Sequence, residues 1–152
     1  MKHLLMLMLF SLIAISANSQ SLNSYNYVNV TIANNEFGDD MNGAYNYVKE
    51  RLRGLGFVIV EMDNLPNEII SDKCKLLNCV IKSSIRDRSS GVIEIYIKNC
   101  NNVDCFTGFG ITGFGQPWST VFQASAYKAL KHISYRYTPQ TYKHKPEPFY
   151  PN

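Results

Sequence analysis

The feature that most constrains the fold of this chain is that its predicted strands carry apolar residues on one face only. In residues 25–33, Val28 and Val30 alternate with Tyr, Asn and Thr, which predicts a strand buried on one side. The segments 76–87 and 92–99 show the same alternation. Because a one-sided sheet must cover a single apolar face, we expect all the helices on that side of it.

Two segments have the three- and four-residue apolar spacing of amphipathic helices, residues 41–55 and residues 117–134. Residues 57–62 predict a strand close behind the first helix, so residues 25–62 form a strand, a crossover helix and a parallel strand. The predicted order is β-α-β-β-β-α. The predicted fold class is α+β, a two-layer sandwich with a mixed four-stranded sheet and two helices on one face.

The first nineteen residues have the pattern of an export signal. Lys2 supplies the positive start, residues 4–15 are an apolar run, and Ala17-Asn18-Ser19 provides the small residues that a signal peptidase reads. The alternative, an uncleaved anchor helix, needs roughly 20 apolar residues. We therefore expect cleavage before Gln20, a periplasmic or secreted protein, and no transmembrane segment after processing.

The composition predicts one domain with few of the features of a nucleic-acid-binding protein. About 133 residues follow the signal, which is enough for one core over residues 20–134. Without Lys2, fourteen Lys and Arg stand against 12 Asp and Glu, and no basic run offers a phosphate-binding face. Residues 135–152 hold four of the six prolines among tyrosines, which predicts a disordered tail.

Four cysteines, Cys74, Cys79, Cys100 and Cys105, follow the signal. An even count in an oxidising compartment predicts two disulfides. The two Cys-x4-Cys pairs also lie at the outer limit of zinc-site spacing, so metal-bound or free thiols remain an alternative, although we predict no metal.

The disulfide pairing depends on a hairpin whose turn is predicted at residues 88–91. Folding the chain about this turn favours a nested pairing, Cys79 with Cys100 and Cys74 with Cys105. A register with Ile85 opposite Ile95 keeps the apolar residues of both strands on one face. In this register a bulge is needed to bring the sulfurs of Cys79 and Cys100 together. The local alternative joins each cysteine to its near neighbour in sequence.

A glycine-rich stretch precedes the last predicted helix and contains Gly-x-Gly-x-x-Gly. Such loops hold phosphates against helix amides when a strand precedes them and an acidic residue follows, and this sequence has no such acidic residue. We predict no cofactor, and either a plain loop or a ligand- or anion-binding loop that uses Gly108, Gly110, Gly113 and Gly115.

No set of residues in the sequence has the pattern of a catalytic centre. Only His132 and His144 follow the signal as imidazoles, and each is expected at the solvated surface. Glu36, Asp39 and Asp40 form an acidic cluster suited to calcium or acid/base chemistry, but helix capping explains the two aspartates as well. We therefore predict a protein that is not an enzyme.

The element order over residues 25–134, and the passage from Gly113-Phe114-Gly115 into a helix with Ala124, Ala126 and Ala129, resemble the anticodon-binding-domain-like fold of small envelope modules. Examples are the N-terminal domain of TolB and the periplasmic domain of curli-secretion lipoproteins. The signal ending before Gln20 is similar to those of exported Bacteroidota proteins. The resemblance implies the α+β fold and supplies no catalytic residue.

These observations leave three hypotheses about function. The first is an exported noncatalytic domain that binds another envelope or secreted protein, for which an uncovered sheet edge or exposed apolar patch is the sign. The second is a small-ligand or anion-binding protein with a pocket at the start of the last helix. The third is a hydrolase built on Glu36, Asp39 and Asp40.

Overall fold

The computed structural model describes residues 22–33, 36–87, 89–113 and 115–133. The predicted signal peptide, residues 1–19, and the predicted tail, residues 135–152, lie outside this part of the chain. Within the described residues, no helix is long and apolar enough to cross a bilayer.

The first two strands are each followed by a helix, and the next three strands follow one another before the last helix. The strands are β1 (Tyr27–Ala33), β2 (Val58–Ile59), β3 (Leu76–Arg86), β4 (Ser90–Lys98) and β5 (Asp104–Gly113). The helices are α1 (Asn42–Gly54), α2 (Asn67–Ser71) and α3 (Trp118–Leu130). Short 3-10 turns occupy Leu22–Ser24, Gly38–Met41 and Lys73–Lys75.

The strands form one mixed sheet in the order β2-β1-β3-β4-β5. β1 pairs in parallel with both β2 and β3, whereas β3, β4 and β5 form an antiparallel meander. This topology confirms the predicted α+β class. The sheet has five strands among the described residues rather than the predicted four, because the glycine-rich stretch before the last helix is itself a strand.

The main core lies between the sheet and the helix pair α1 and α3. Val48 and Leu52 of α1, and Phe122 of α3, are fully buried against the inward-facing strand residues. The apolar alternation predicted from the sequence supplies that inward face, namely Val28, Val30, Leu77, Cys79, Ile81, Ile93, Ile95 and Ile97. Both long helices therefore cover the same face, as the one-sided strands require.

The opposite face of the sheet carries only a small second cluster under α2. Ile69 of α2 is fully buried beside Tyr27 and Leu76, and the Tyr27 hydroxyl donates a hydrogen bond to the Glu68 carboxylate. The sequence of residues 65–73, opened by Pro66, predicts a loop, and α2 lies within this segment. A five-residue helix escapes a periodicity analysis because it is shorter than two turns.

The β3–β4 hairpin turns earlier than predicted. Ile81 lies opposite Ile95 and Ile85 opposite Gly91, whereas the apolar-phase register sets Ile85 opposite Ile95. The shift is four residues, an even number, so each side chain keeps its predicted face. The turn is entered through Asp87, whose φ of 54° lies in the left-handed region that aspartate tolerates better than most residues.

The observed register explains why the predicted disulfides are wrong. Cys79 lies opposite Ile97 and is buried in the core as a free thiol, and Cys105 is also free. The disulfide joins Cys74 to Cys100, with the two Cα atoms 4.9 Å apart, a normal separation. It ties the start of β3 to the end of β4. Neither the nested pairing of Cys79 with Cys100 and Cys74 with Cys105 nor the local pairing occurs.

Candidate binding surface at the edge strand

The glycine-rich stretch forms most of β5, which lies at one edge of the sheet. Gly108 and Gly110 face α3. A Cβ atom at Gly108 would overlap the carbonyl oxygen of Ala129, and one at Gly110 would overlap that of Ser125. These two glycines therefore let helix and strand touch through their backbones. At these two positions the stretch is a strand and not the predicted loop, and α3 covers its inner side.

The sequence contains a signal for this strand that is separate from the Gly-x-Gly-x-x-Gly motif. From Phe106 to Thr112, small or apolar residues occupy every second position, with Gly108 and Gly110 on one face and Phe109 and Ile111 on the other. The covering helix offers matching small residues, Ser125 and Ala129, four positions apart. Glycine in a strand often marks such a close backbone approach.

The outer edge of β5 meets no other strand among the described residues. One of its carbonyl groups has a side-chain partner, since Lys128 Nζ of α3 donates a hydrogen bond to the Ile111 carbonyl oxygen at 2.7 Å. Lysine is one of the residues by which natural sheets blunt an exposed edge. The edge is thus open to a strand of another chain, except that Lys128 occupies the Ile111 carbonyl.

An apolar patch borders this edge on the face of the sheet opposite α1 and α3, which we call the α2 face. Phe109 is 54% exposed. Ile111 lies next to it and pairs with Val92 of β4, which is buried although no long helix covers this face. Contiguous exposed apolar patches mark interaction sites, and Phe109 with Ile111 forms a small patch of this kind beside the edge.

Charged and aromatic residues lie on the α2 face across β3 and β4. Lys82 Nζ lies 5.1 Å from the centre of the Tyr96 ring, and the Tyr96 hydroxyl donates to Glu94 Oε2 at 2.8 Å. This hydrogen bond to a carboxylate is the largest cause that raises the pKa of Tyr96. Further along, Lys98 Nζ lies 3.6 Å from Asp104 Oδ1. These contacts pair Lys82, Glu94 and Lys98 with neighbouring side chains.

A pocket of about 350 Å³ opens where β5 ends and α3 begins. Its lining residues are Thr112, Gly113, Gly115, Gln116, Thr120, Val121 and Ala124. None of them is charged. The first turn of α3 contains no acidic residue, and Pro117 at its N-cap makes no side-chain capping hydrogen bond. Two of the four predicted glycines, Gly113 and Gly115, are therefore at a concave surface.

The hydroxyl oxygen of Thr112 is buried and has no hydrogen-bond partner among the described residues. Since the atom is out of contact with solvent, a molecule in the pocket would reach it only after the Thr112 side chain rotated. The Thr120 and Val121 amides already donate to the Pro117 carbonyl. The pocket can offer glycine amides and neutral side-chain donors, with the positive end of the α3 dipole behind them.

The predicted acidic cluster does not cap α1. Asp39 and Asp40 belong to the 3-10 turn Gly38–Met41, and the N-cap of α1 is Met41, with no side-chain capping bond. Glu36 lines a second pocket of about 170 Å³ near Lys82. Within the described residues, no group of three or more His, Cys, Asp or Glu is placed to hold a metal ion.

The two free thiols differ in accessibility. Cys79 is fully buried, and this burial raises the pKa of its thiol to about 12. Cys105 is partly exposed at the start of β5, and desolvation is the main cause that raises its pKa. Neither thiol has the depressed pKa of a reactive cysteine.

Comparison with known proteins identifies no family. No family model matches the sequence, and no curated protein matches it either.

Two solved structures have a similar chain trace. One is a dodecamer of a PelC point variant from Paraburkholderia phytofirmans, at 14% identity and a TM-score of 0.48, covering 75% of this chain and 91% of that one. The other is a PelC dodecamer from the same organism, at 16% identity and a TM-score of 0.45, covering 72% of this chain and 88% of that one. The resemblance to envelope modules stays a prediction.

Proposed function

We propose that this protein is an exported, noncatalytic domain that binds another envelope or secreted protein through β5 and the patch formed by Phe109 and Ile111. The observation that carries the proposal is the outer edge of β5, which pairs with no strand of the described residues and has a half-exposed phenylalanine beside it. A sheet edge offers a row of backbone donors and acceptors that an extended segment of a partner can pair with.

Export is part of this proposal. The Cys74–Cys100 disulfide supports an oxidising compartment, and the first nineteen residues have the pattern of a cleavable signal. Intact-mass measurement of protein recovered from the periplasm or the medium tests this directly. A mature chain beginning at Gln20 is expected, and a chain beginning at Met1 in that fraction would contradict export.

The binding site can be tested by site-specific photo-crosslinking in the native host. A photoreactive phenylalanine analogue at position 109 is expected to crosslink a distinct partner. The same analogue at position 70 is a matched control, because Ile70 is also a strongly exposed apolar residue but lies in α2, away from β5. Equal crosslinking from both positions, or none from position 109, would contradict the proposal.

The second candidate function is binding of a small anion or polar ligand in the pocket at the start of α3. The specific observation in its favour is a pocket of about 350 Å³ with no charged lining residue, at a helix start without an acidic residue. Anions are stabilised near helix N-termini, and this volume is at the small end of ligand sites.

This second candidate is tested with inorganic phosphate, sulfate and acetate as probes. Amide chemical shifts of Gly113, Gly115 and Gln116 are expected to move in a saturable way. Substituting Gln116→Glu places a negative charge at the pocket and should abolish the shifts. Shifts that persist in this variant, or that appear equally across the surface, would contradict a pocket site.

A further inference from the structure

We infer that the outer edge of β5 accepts an extended segment of another protein in which apolar and acidic side chains alternate. This inference rests on the proposed protein-binding function and adds the chemistry of the partner.

The backbone groups available to a partner follow from the Lys128 contact. The Ile111 carbonyl accepts a bond from Lys128 Nζ and therefore points away from β4. In an antiparallel strand, the N–H and C=O of one residue point to the same side and alternate along the chain. Thr107, Phe109 and Ile111 thus direct both groups to the open edge, while Gly108 and Gly110 pair with β4.

The sheet topology disfavours one occupant of the β5 edge, a parallel strand formed by the residues of this chain that follow α3. β5 runs parallel to β1, and α1 and α3 pack side by side on the same face. β2 and the open edge of β5 lie at opposite ends of the sheet. About 98% of β-α-β units are right-handed. With β1-α1-β2 right-handed, a parallel strand after α3 at the open edge would complete a left-handed unit, because both helices lie on one face and the two units extend in opposite directions.

The side chains beside the edge define what a partner strand must carry. Residues of the incoming strand alternate between the two faces of the sheet. On the α2 face they meet Phe109 and Ile111, which favour apolar partners. On the other face they meet the flank of α3 that carries Lys128.

That flank of α3 is cationic. It carries the Lys128 ammonium group, and α3 contains neither Asp nor Glu that could neutralise it. An acidic side chain can replace the Ile111 carbonyl as the partner of Lys128, and it forms a charge-assisted bond in doing so. The released carbonyl then accepts an N–H from the incoming strand.

The same charge argues against a second copy of this chain as the occupant. Two copies paired through β5 would bring two Lys128 flanks to one interface and no carboxylate from either helix. Like charges across an interface disfavour a pairing. A partner with carboxylates on one face of its strand satisfies both the backbone and the charge.

The experiment uses the full mature chain and three capped nine-residue peptides with serine ends. The first alternates Val and Glu, and the second alternates Val and Lys. The third contains the same numbers of Val and Glu as the first, in an order that places both residue types on both faces of an extended strand. Fluorescence anisotropy gives the affinities. Amide exchange of Thr107, Phe109 and Ile111 reports where the peptide binds.

We expect the alternating Val-Glu peptide to bind at least tenfold more tightly than the other two and to slow exchange at those three amides. Substituting Lys128→Glu should reverse the preference in favour of Val-Lys. The control Lys73→Glu makes the same change of charge at an exposed residue of the 3-10 turn before β3, away from the open edge, and should keep the wild-type preference.

Three results would overturn the inference. They are equal affinity for all three peptides, no binding at millimolar peptide, and slow exchange at the three amides before any peptide is added. If the crosslink at position 109 succeeds while the Val-Glu peptide shows no advantage, protein binding stands and only the partner chemistry fails. If both experiments fail, the proposed function fails as well.

Discussion

Gly110 of β5 lies directly against the backbone of Ser125 in α3, so closely that a Cβ atom on the glycine would overlap the Ser125 carbonyl oxygen. Ser125 thus contacts two strands, β5 through its backbone and β4 through its side chain, since its hydroxyl donates to the buried Gly91 carbonyl at 2.9 Å. This contact sets the distance between the last helix and the edge strand.

Substituting Gly110→Ala should therefore destabilise the protein by about 3 kcal/mol, near the upper end of the usual cost of overpacking, because backbone atoms on both sides must move. Gly113→Ala is the matched control, since no atom lies within 4 Å of its Cβ position, and its effect should stay within about 0.5 kcal/mol. Urea unfolding of both variants is the measurement. Equal stabilities would mean that α3 moves freely over β5.

The Cys74–Cys100 disulfide closes a loop with a sequence separation of 26 residues. Replacing both cysteines by serine should lower the free energy of unfolding by about 3 kcal/mol, mainly because the unfolded chain gains entropy. Cys105→Ser should have little effect. Peptide mapping without reduction provides a second check, and a fragment joining Cys79 to Cys100 would contradict the structure.

Burial of Cys79 predicts a loss of stability in alkali. The folded thiol has a pKa of about 12 against an ordinary value of 9.0, so the folded state keeps a proton that the unfolded state releases. The resulting stability is fully present below pH 9 and is lost as the pH rises towards 12. Between pH 8 and pH 10 the loss from this group is about 1 kcal/mol.

This loss is measured as a difference between two proteins that both carry Cys105→Ser, which removes the partly exposed thiol. One keeps Cys79 and the other has Cys79→Ala. The protein with Cys79 should lose about 1 kcal/mol more between the two pH values. Parallel pH profiles for the two proteins would show that Cys79 ionises normally in the folded state.

Lys128 is predicted to limit edge-to-edge association. Lys128→Met removes the donor to the Ile111 carbonyl and should raise the rate of aggregation severalfold, while the free energy of unfolding changes by less than about 0.5 kcal/mol. Lys131→Met makes the same change of charge at an exposed position one turn on. Light scattering during incubation at 37 °C compares the variants, and identical rates would remove this role of Lys128.

Local patterns in the sequence account for much of the fold. The alternation in residues 25–33 and the helical stripe in residues 41–55 predict β1 and α1 because each pattern depends on which side of one element is buried. The one-sided strands also predict that both long helices lie on the same face. An even shift of register left these faces intact, so the β3–β4 hairpin keeps its inward residues although its turn lies elsewhere.

Contacts between distant segments decided what the sequence alone left open. Gly108 and Gly110 favour a loop by local preference although their neighbours alternate as in a strand, and the backbone of α3 against them favours the strand. The partner of Cys100 depended on a shift of four residues in one hairpin, and local energies distinguish such registers poorly because every side chain keeps its face. The pocket beside Gly113 and Gly115 likewise depends on how α3 packs. Its walls come from both the end of β5 and the start of α3, so neither sequence segment predicts it alone.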